Sequence, residues 1–257
     1  MRSLAFYGWY AAFAMALVAR VGAQEPVIAS SGDAHTVAAH RLQVGLIEPL
    51  RYGVSDDVEL FTQPLLIVLV PQIGVQVQWF SDERYAIATR HRLSYPKPLL
   101  DTLAKEGSFG LLPASSRIPV AVVVDLDALF TAQLAPAHRV SAMTGLSVAP
   151  RGSSHEMPLL DFPFLYSRFA VMKTTAVLRL GGRYDVRLGA RVQMTVDAQY
   201  FYLPVIDGGF SFEPGAAARF VVGRHIALEL GLRLAYAHYP AGDQFHYLPF
   251  ADVICAW

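Results

Sequence analysis

Hydrophobic and polar residues alternate one by one along much of the second half of the chain. From Val186 the apolar set is Val186, Leu188, Ala190, Val192, Met194, Val196 and Ala198. The interleaved set is Arg187, Gly189, Arg191, Gln193, Thr195, Asp197 and Gln199. A period of two puts each set on its own face of a strand, whereas a helix would scatter the same charges all round. The pattern recurs as Ile226, Leu228, Leu230, Leu232, Leu234 and Tyr236 against Ala227, Glu229, Gly231, Arg233, Ala235 and Ala237. Val75, Val77 and Trp79 against Gln76 and Gln78 form a third case, and weaker copies cover residues 85–95 and 140–148. The chain is all-β on this reading.

A soluble β-sandwich also alternates, and two features favour a membrane barrel instead. Several alternating runs reach ten or more residues, close to the about 9–11 that a tilted strand needs to cross the hydrocarbon and longer than a globular strand. The non-apolar face is rich in Gly, Ala and Arg, and aromatics gather at segment ends (Tyr200, Phe201, Tyr202; Tyr236, Tyr239; Phe245, Tyr247), where interfacial girdles sit. After residue 24 no run of about eighteen apolar residues offers a transmembrane helix. Residues 64–75 are too short and contain Pro71, and residues 118–130 carry Asp125 and Asp127.

Composition agrees: 54% of residues are hydrophobic and only 16% charged, against roughly 25% charged in a usual soluble domain. The formal net charge is zero and no basic stretch offers a footprint for nucleic acid. One cysteine, Cys255, rules out a disulfide within the chain and thiolate metal clusters. The N-terminus has the parts of a secretory signal: Arg2, an apolar run from Leu4 to Val18, and the compact triplet Val21-Gly22-Ala23 before Gln24. Residues 1–23 are therefore expected to be a signal peptide and residues 24–257 the barrel.

Two stretches resemble Gram-negative outer-membrane β-barrel proteins. The chain ends on Trp257 after Val253 and Cys255 on one face, similar to the C-terminal aromatic signal read by barrel-assembly machinery. Residues 50–60, LRYGVSDDVEL, are similar to a hairpin found in many such barrels. The resemblance implies an antiparallel transmembrane barrel in the outer membrane, with outer-membrane lipid and the assembly machinery as partners.

Short turns are expected at residues 53–57, 81–84, 135–138, 181–185 and 223–225, and longer connections at 96–117, 150–163 and 240–244. Bacterial barrels put short turns in the periplasm and long loops outside. That parity predicts twelve strands if residues 27–30 form a first strand and residues 209–222 form one bent strand through Pro214-Gly215; otherwise ten. Residues 98–106, with Leu99, Leu100 and Leu103 on one face and Gly107 as a stop, predict a short helix in an outer loop or folded into the lumen.

Alternation assigns Arg41, Glu59, Arg90, Arg92, Asp125, Asp127, Arg139, Arg179, Arg187, Arg191, Asp197, Glu229, Arg233 and Asp252 to the lumen. Their signs nearly cancel, so pairing across strands in a narrow interior is favoured over a strongly ion-selective pore. For catalysis, His238 and His246 flank Asp243 at one rim, and Ser153, Ser154, His155 and Glu156 form a polar cluster; neither lies in a nucleophile motif. No His pair is four apart and no phosphate-cradling loop occurs, so no metal or cofactor is predicted. The reading is a narrow channel or a structural, surface-exposed barrel without catalysis. Its alternatives are an enzyme modifying lipid or lipopolysaccharide and a soluble periplasmic β-domain that binds an apolar ligand.

Overall fold

A computed structural model of the chain describes residues 31–105, 112–113, 118, 120–149, 163–204, 209–239 and 242–257. The expected signal segment, residues 27–30, Gly107 and the Ser153–Glu156 cluster lie outside the described residues. Twelve strands form one closed antiparallel barrel: β1 (Leu42–Val44), β2 (Leu50–Gly53), β3 (Val58–Thr62), β4 (Gln72–Ser81), β5 (Tyr85–Ser94), β6 (Val123–Ala135), β7 (His138–Val148), β8 (Ala176–Leu188), β9 (Val192–Tyr202), β10 (Phe210–Val221), β11 (Ile226–Tyr239) and β12 (Gly242–Ala256). Each strand pairs with its neighbours in sequence, and β1 closes the ring on β12 through Gln43↔Ala256 and Val44↔Cys255. The terminal aromatic completes the seam: Leu42 N–H donates to the Trp257 carbonyl at 3.0 Å and Trp257 N–H to that of Leu42 at 2.9 Å.

The barrel is inside-out. Leu126, Phe130, Leu180, Val196, Leu230 and Tyr236 are exposed on its outer face, while Gln76, Asp125, Thr131, Asp185, Glu213 and Asp252 are buried within. A soluble sandwich would bury the first set and expose the second.

Twelve strands are present, but the first pair arises differently from the expectation. β1 and β2 both follow residue 40, because the chain reverses at Gly45. There the N–H groups of Leu46 and Glu48 each donate to the Asp252 carboxylate at 2.7 Å. A Cβ on Gly45 would stand 2.6 Å from that carboxylate, so only glycine fits. The long strand β10 runs through Pro214 as expected: its ladder to β9 is unbroken, and its ladder to β11 resumes at Gly215↔Arg233 in the register it left at Phe212↔Tyr236.

Two expected features are displaced. Residues 181–185 are not a turn: Gly181 and Gly182 lie mid-strand in β8, where Gly181 makes room for Met143 on β7. The turn falls at residues 189–191, with Gly189 at φ +78°. Leu188↔Val192 and Arg187↔Gln193 pair residues of equal parity, so the even–odd pattern passes through this hairpin undisturbed and cannot reveal it. The connection expected to end at residue 163 runs on through residues 163–174, which form two short helices, α2 (Pro163–Phe169) and α3 (Val171–Thr174). The predicted helix in residues 98–106 is α1 (Lys97–Leu103).

Candidate functional site

The interior is built in three levels. At the short-turn end the segment before β1 crosses the lumen and bonds to walls on both sides. Ser31 O accepts from Arg183 Nη1 on β8 at 2.5 Å, and Ala34 N–H donates to Thr131 Oγ1 on β6 at 2.9 Å. The Asp33 carboxylate, 1% exposed, is ion-paired with Arg139 on β7. On the opposite wall Gln76 Nε2 donates to the carbonyls of Asp33 and His35 at 3.2 and 3.1 Å. Val37 N–H donates to Glu59 Oε2 at 2.8 Å. This segment is a plug. Burial opposes ionisation of Asp33, but His35 and the Arg139 guanidinium outweigh it and hold the pKa down at about 2.

At the long-loop end α1, α2 and α3 bring Leu100, Leu103, Tyr166, Val171 and Met172 into one buried cluster with the inward-facing Val123, Val177, Phe201 and Ala237 of the wall. The inward face turns apolar here because it receives helices rather than water. α2 is also tied by charge: Arg168 forms a two-pronged pair with Glu213 on β10, both contacts at 2.8 Å, and lies over the Phe201 ring at 5.4 Å. Burial pushes the Tyr166 hydroxyl up to about 12.

Between plug and cap lies a cavity of about 340 Å³ lined by Arg51, Arg90, Arg92, Arg168, Arg179, Arg183 and Arg233, with Glu59, Asp127 and Asp197 as the acids on its surface among the described residues. Several of these arginines are paired with carboxylates of the wall. Arg92 pairs with Asp125 at 2.6 Å, Arg179 with Asp127 at 2.7 Å and Asp125 at 3.2 Å, Arg183 with Asp185 at 2.9 Å, and Arg233 with Asp197 at 2.9 Å. The charges of the interior nearly balance, yet the cavity wall presents chiefly guanidinium groups. It can hold an anion through charge-assisted hydrogen bonds.

Of the residues assigned to the lumen by alternation, Glu59, Arg92, Asp125, Asp127, Arg139, Arg179, Asp197, Glu229 and Arg233 all take part in ion pairs of the interior. Arg90 is held by Gln76 Oε1 at 2.8 and 2.6 Å. Asp252 binds the reversal at Gly45. Arg41, Arg187 and Arg191 lie at the short-turn end and enter none of these pairs; Arg191 is in the β8–β9 turn.

Sequence reasoning missed Asp33, Glu48, Arg51, Arg168, Arg183, Asp185, Glu213 and Arg219. Arg183 and Asp185 carried a usable signal, because they continue the odd-numbered set of Arg179 and Arg187 once Gly181-Gly182 is read as strand. Asp33, Glu48 and Arg168 lie outside strands, where alternation says nothing.

At the rim, His238 and Asp243 are cross-strand partners and their side chains are hydrogen-bonded, while His246 meets Gln244 at 3.2 Å. Among the described residues no hydroxyl is bonded to His238 to act as a nucleophile beside it.

No family model matches the chain, and no curated protein matches it. Similar solved structures include an outer-membrane channel from Pseudomonas putida F1, 11% identical over 90% of this chain and 100% of that one, with a TM-score of 0.47. The NanC porin is 6% identical over 84% of this chain and 97% of that one, with a TM-score of 0.46. The outer-membrane channel DcaP of Acinetobacter baumannii is 8% identical over 91% of this chain and 67% of that one, with a TM-score of 0.40. The barrel assignment rests on the chain's own strand ladder.

Proposed function

We propose that the chain is a Gram-negative outer-membrane barrel, exported by its N-terminal signal and acting as a narrow, internally occluded channel without catalysis. One observation carries this reading: an apolar outer face surrounds a charged interior that encloses a cavity between plug and cap. An apolar girdle of this kind is stable only against lipid, and an interior filled by paired charge passes solute only when the plug or cap moves. Trp257, held at the seam, is the element the assembly machinery would read. Outer-membrane fractionation and heat-modifiable gel migration test the location, and recovery as a soluble periplasmic protein overturns it. In planar bilayers the full mature chain should conduct weakly, and a chain lacking residues 24–40 should conduct more. Silence of both forms overturns the channel.

A further inference from the structure

The barrel wall is of uneven height. β1, β2 and β3 have 3, 4 and 5 residues, whereas β12 beside them has 15. Only Cys255 and Ala256 of β12 pair with β1, so over residues 242–254 its second edge has no strand partner among the described residues. The causes are local. Asp252 turns β1 back at Gly45, and Pro49 and Pro64 follow at the upper ends of the short strands. Pro249 within β12 lacks an N–H, which suits an edge strand. Tyr247, Leu248 and Pro249 are exposed in succession, so both faces of β12 are open at this height.

An unpaired strand edge cannot face hydrocarbon; backbone of this kind persists at membrane depth only where it is buried in protein or lines a water-filled opening, and the exposure of Tyr247, Leu248 and Pro249 favours the opening. The gap opens onto the cavity already described, since Pro49, Thr62 and Gln63 form the lip of the low wall and also line that cavity. Just inside the lip stands Arg90, its guanidinium 5.6 Å over the Phe61 ring. Arg90 hydrogen-bonds to Gln76 but has no carboxylate within ion-pair distance among the described residues. Arg92, two residues along the same face, keeps its side chain 36% exposed although paired. Outside the lip the surface is apolar: Leu46, Leu65 and Val68 are 59%, 64% and 81% exposed on the connections that cross the low wall.

We propose that this gap is a lateral slot that binds a single-chain amphipathic anion. The acidic head lies on Arg90 and Arg92, and the alkyl tail passes over the low wall into the lipid. The inference rests on the outer-membrane barrel reading. A small hydrophilic anion would use the arginines and leave the apolar lip without a role; a neutral hydrocarbon would do the reverse. Only a ligand with both parts matches guanidinium groups within and an apolar rim without.

The test uses the full mature chain in lipid nanodiscs, with insertion checked by heat-modifiable migration, and calorimetric titration of decyl phosphate, decanoate, inorganic phosphate and decyltrimethylammonium against empty nanodiscs. Saturable binding of decyl phosphate or decanoate at least tenfold tighter than inorganic phosphate is expected, and none for the cation; the stronger of the two tells a phosphate head from a carboxylate head. Arg90→Gln should weaken the amphiphile at least tenfold and Arg90→Lys less. Val68→Asp should weaken the amphiphile but not inorganic phosphate. Equal affinity for the amphiphile and inorganic phosphate, unchanged binding in Arg90→Gln, or hydrogen-exchange protection of residues 243–251 at both edges overturns the slot and leaves the channel reading standing. A chain that never inserts sinks that reading instead.

Discussion

Arg51 and Glu59 meet across the β2–β3 hairpin as a two-pronged ion pair, Nε–Oε1 at 3.0 Å and Nη2–Oε2 at 2.8 Å, with each side chain only 1% exposed. The pair does more than join two strands. Glu59 Oε2 also accepts the Val37 N–H, and Arg51 Nη2 donates to the His35 carbonyl at 3.1 Å, so the plug hangs on both partners. Breaking a buried pair from one side leaves an uncompensated charge and costs about 3–5 kcal/mol. Glu59→Ala should lower barrel stability in urea by that order and open residues 31–40 to protease. Arg51→Met with Glu59→Leu should cost less than the single change; an equal loss would show that charge pairing is not what holds the plug.

Gly53 tests the plug through backbone alone. His40 N–H donates to the Gly53 carbonyl at 2.8 Å, and Gly53 N–H to that of Arg41 at 3.0 Å. A Cβ on Gly53 would lie 2.1 Å from the Ala38 carbonyl oxygen and 2.5 Å from that of Val37. These are main-chain atoms, so relief requires the plug itself to shift. Gly53→Ala is expected to cost about 2–4 kcal/mol and to raise conductance toward that of the chain lacking residues 24–40. Wild-type conductance with an intact plug would count against this close approach.

The barrel was legible because its signal is redundant: alternation in β11, the long runs without a helical span, and Trp257 all agree with the same architecture. The turn at residues 189–191 was not, since a three-residue hairpin with even register sums leaves parity intact. The Gly181-Gly182 pair reads as a turn, yet it lies mid-strand, where Gly181 leaves space for Met143. Half of the site was equally visible, because Asp125, Asp127 and Arg179 announce themselves by facing inward on regular strands. Plug and cap were hidden for the opposite reason. Asp33 and Arg168 act from segments with no periodicity, and what they bind lies 106 and 45 residues away in sequence.

Asp33 gives the plug a dependence on pH. Its carboxylate is held down at about 2 from an ordinary 3.8. A lowered native pKa contributes stability that is complete above the unfolded value and fades as pH falls through the native one. Plug attachment should therefore be constant from neutral pH to about pH 4 and weaken between about 4 and 2, by roughly 2 kcal/mol in total. Protease access to residues 31–40, followed against pH with an acid-stable protease, should show that transition. Asp33→Asn should already be open at neutral pH and lose the Asp33-linked step; a variant retaining the full step would place the titration elsewhere.

The cap is the last element whose hold can be isolated. Glu213 is fully buried and binds three donors of α2: both Nη atoms of Arg168 and the Ser167 hydroxyl, each at 2.8 Å. Arg168 is 39% exposed, so water compensates part of its charge when the carboxylate is lost, and the cost falls below that of a fully buried pair. Glu213→Gln keeps the shape and one acceptor but removes the charge, and should loosen α2 by about 2 kcal/mol. That corresponds to roughly 30-fold faster amide exchange in residues 163–174. The effect should remain local, because the β8–β11 ladders do not depend on this pair. Wild-type exchange in α2 would mean that the apolar cluster of Leu100, Val171, Met172 and Phe201 holds the cap unaided, and Phe201→Ala would then be the change that releases it.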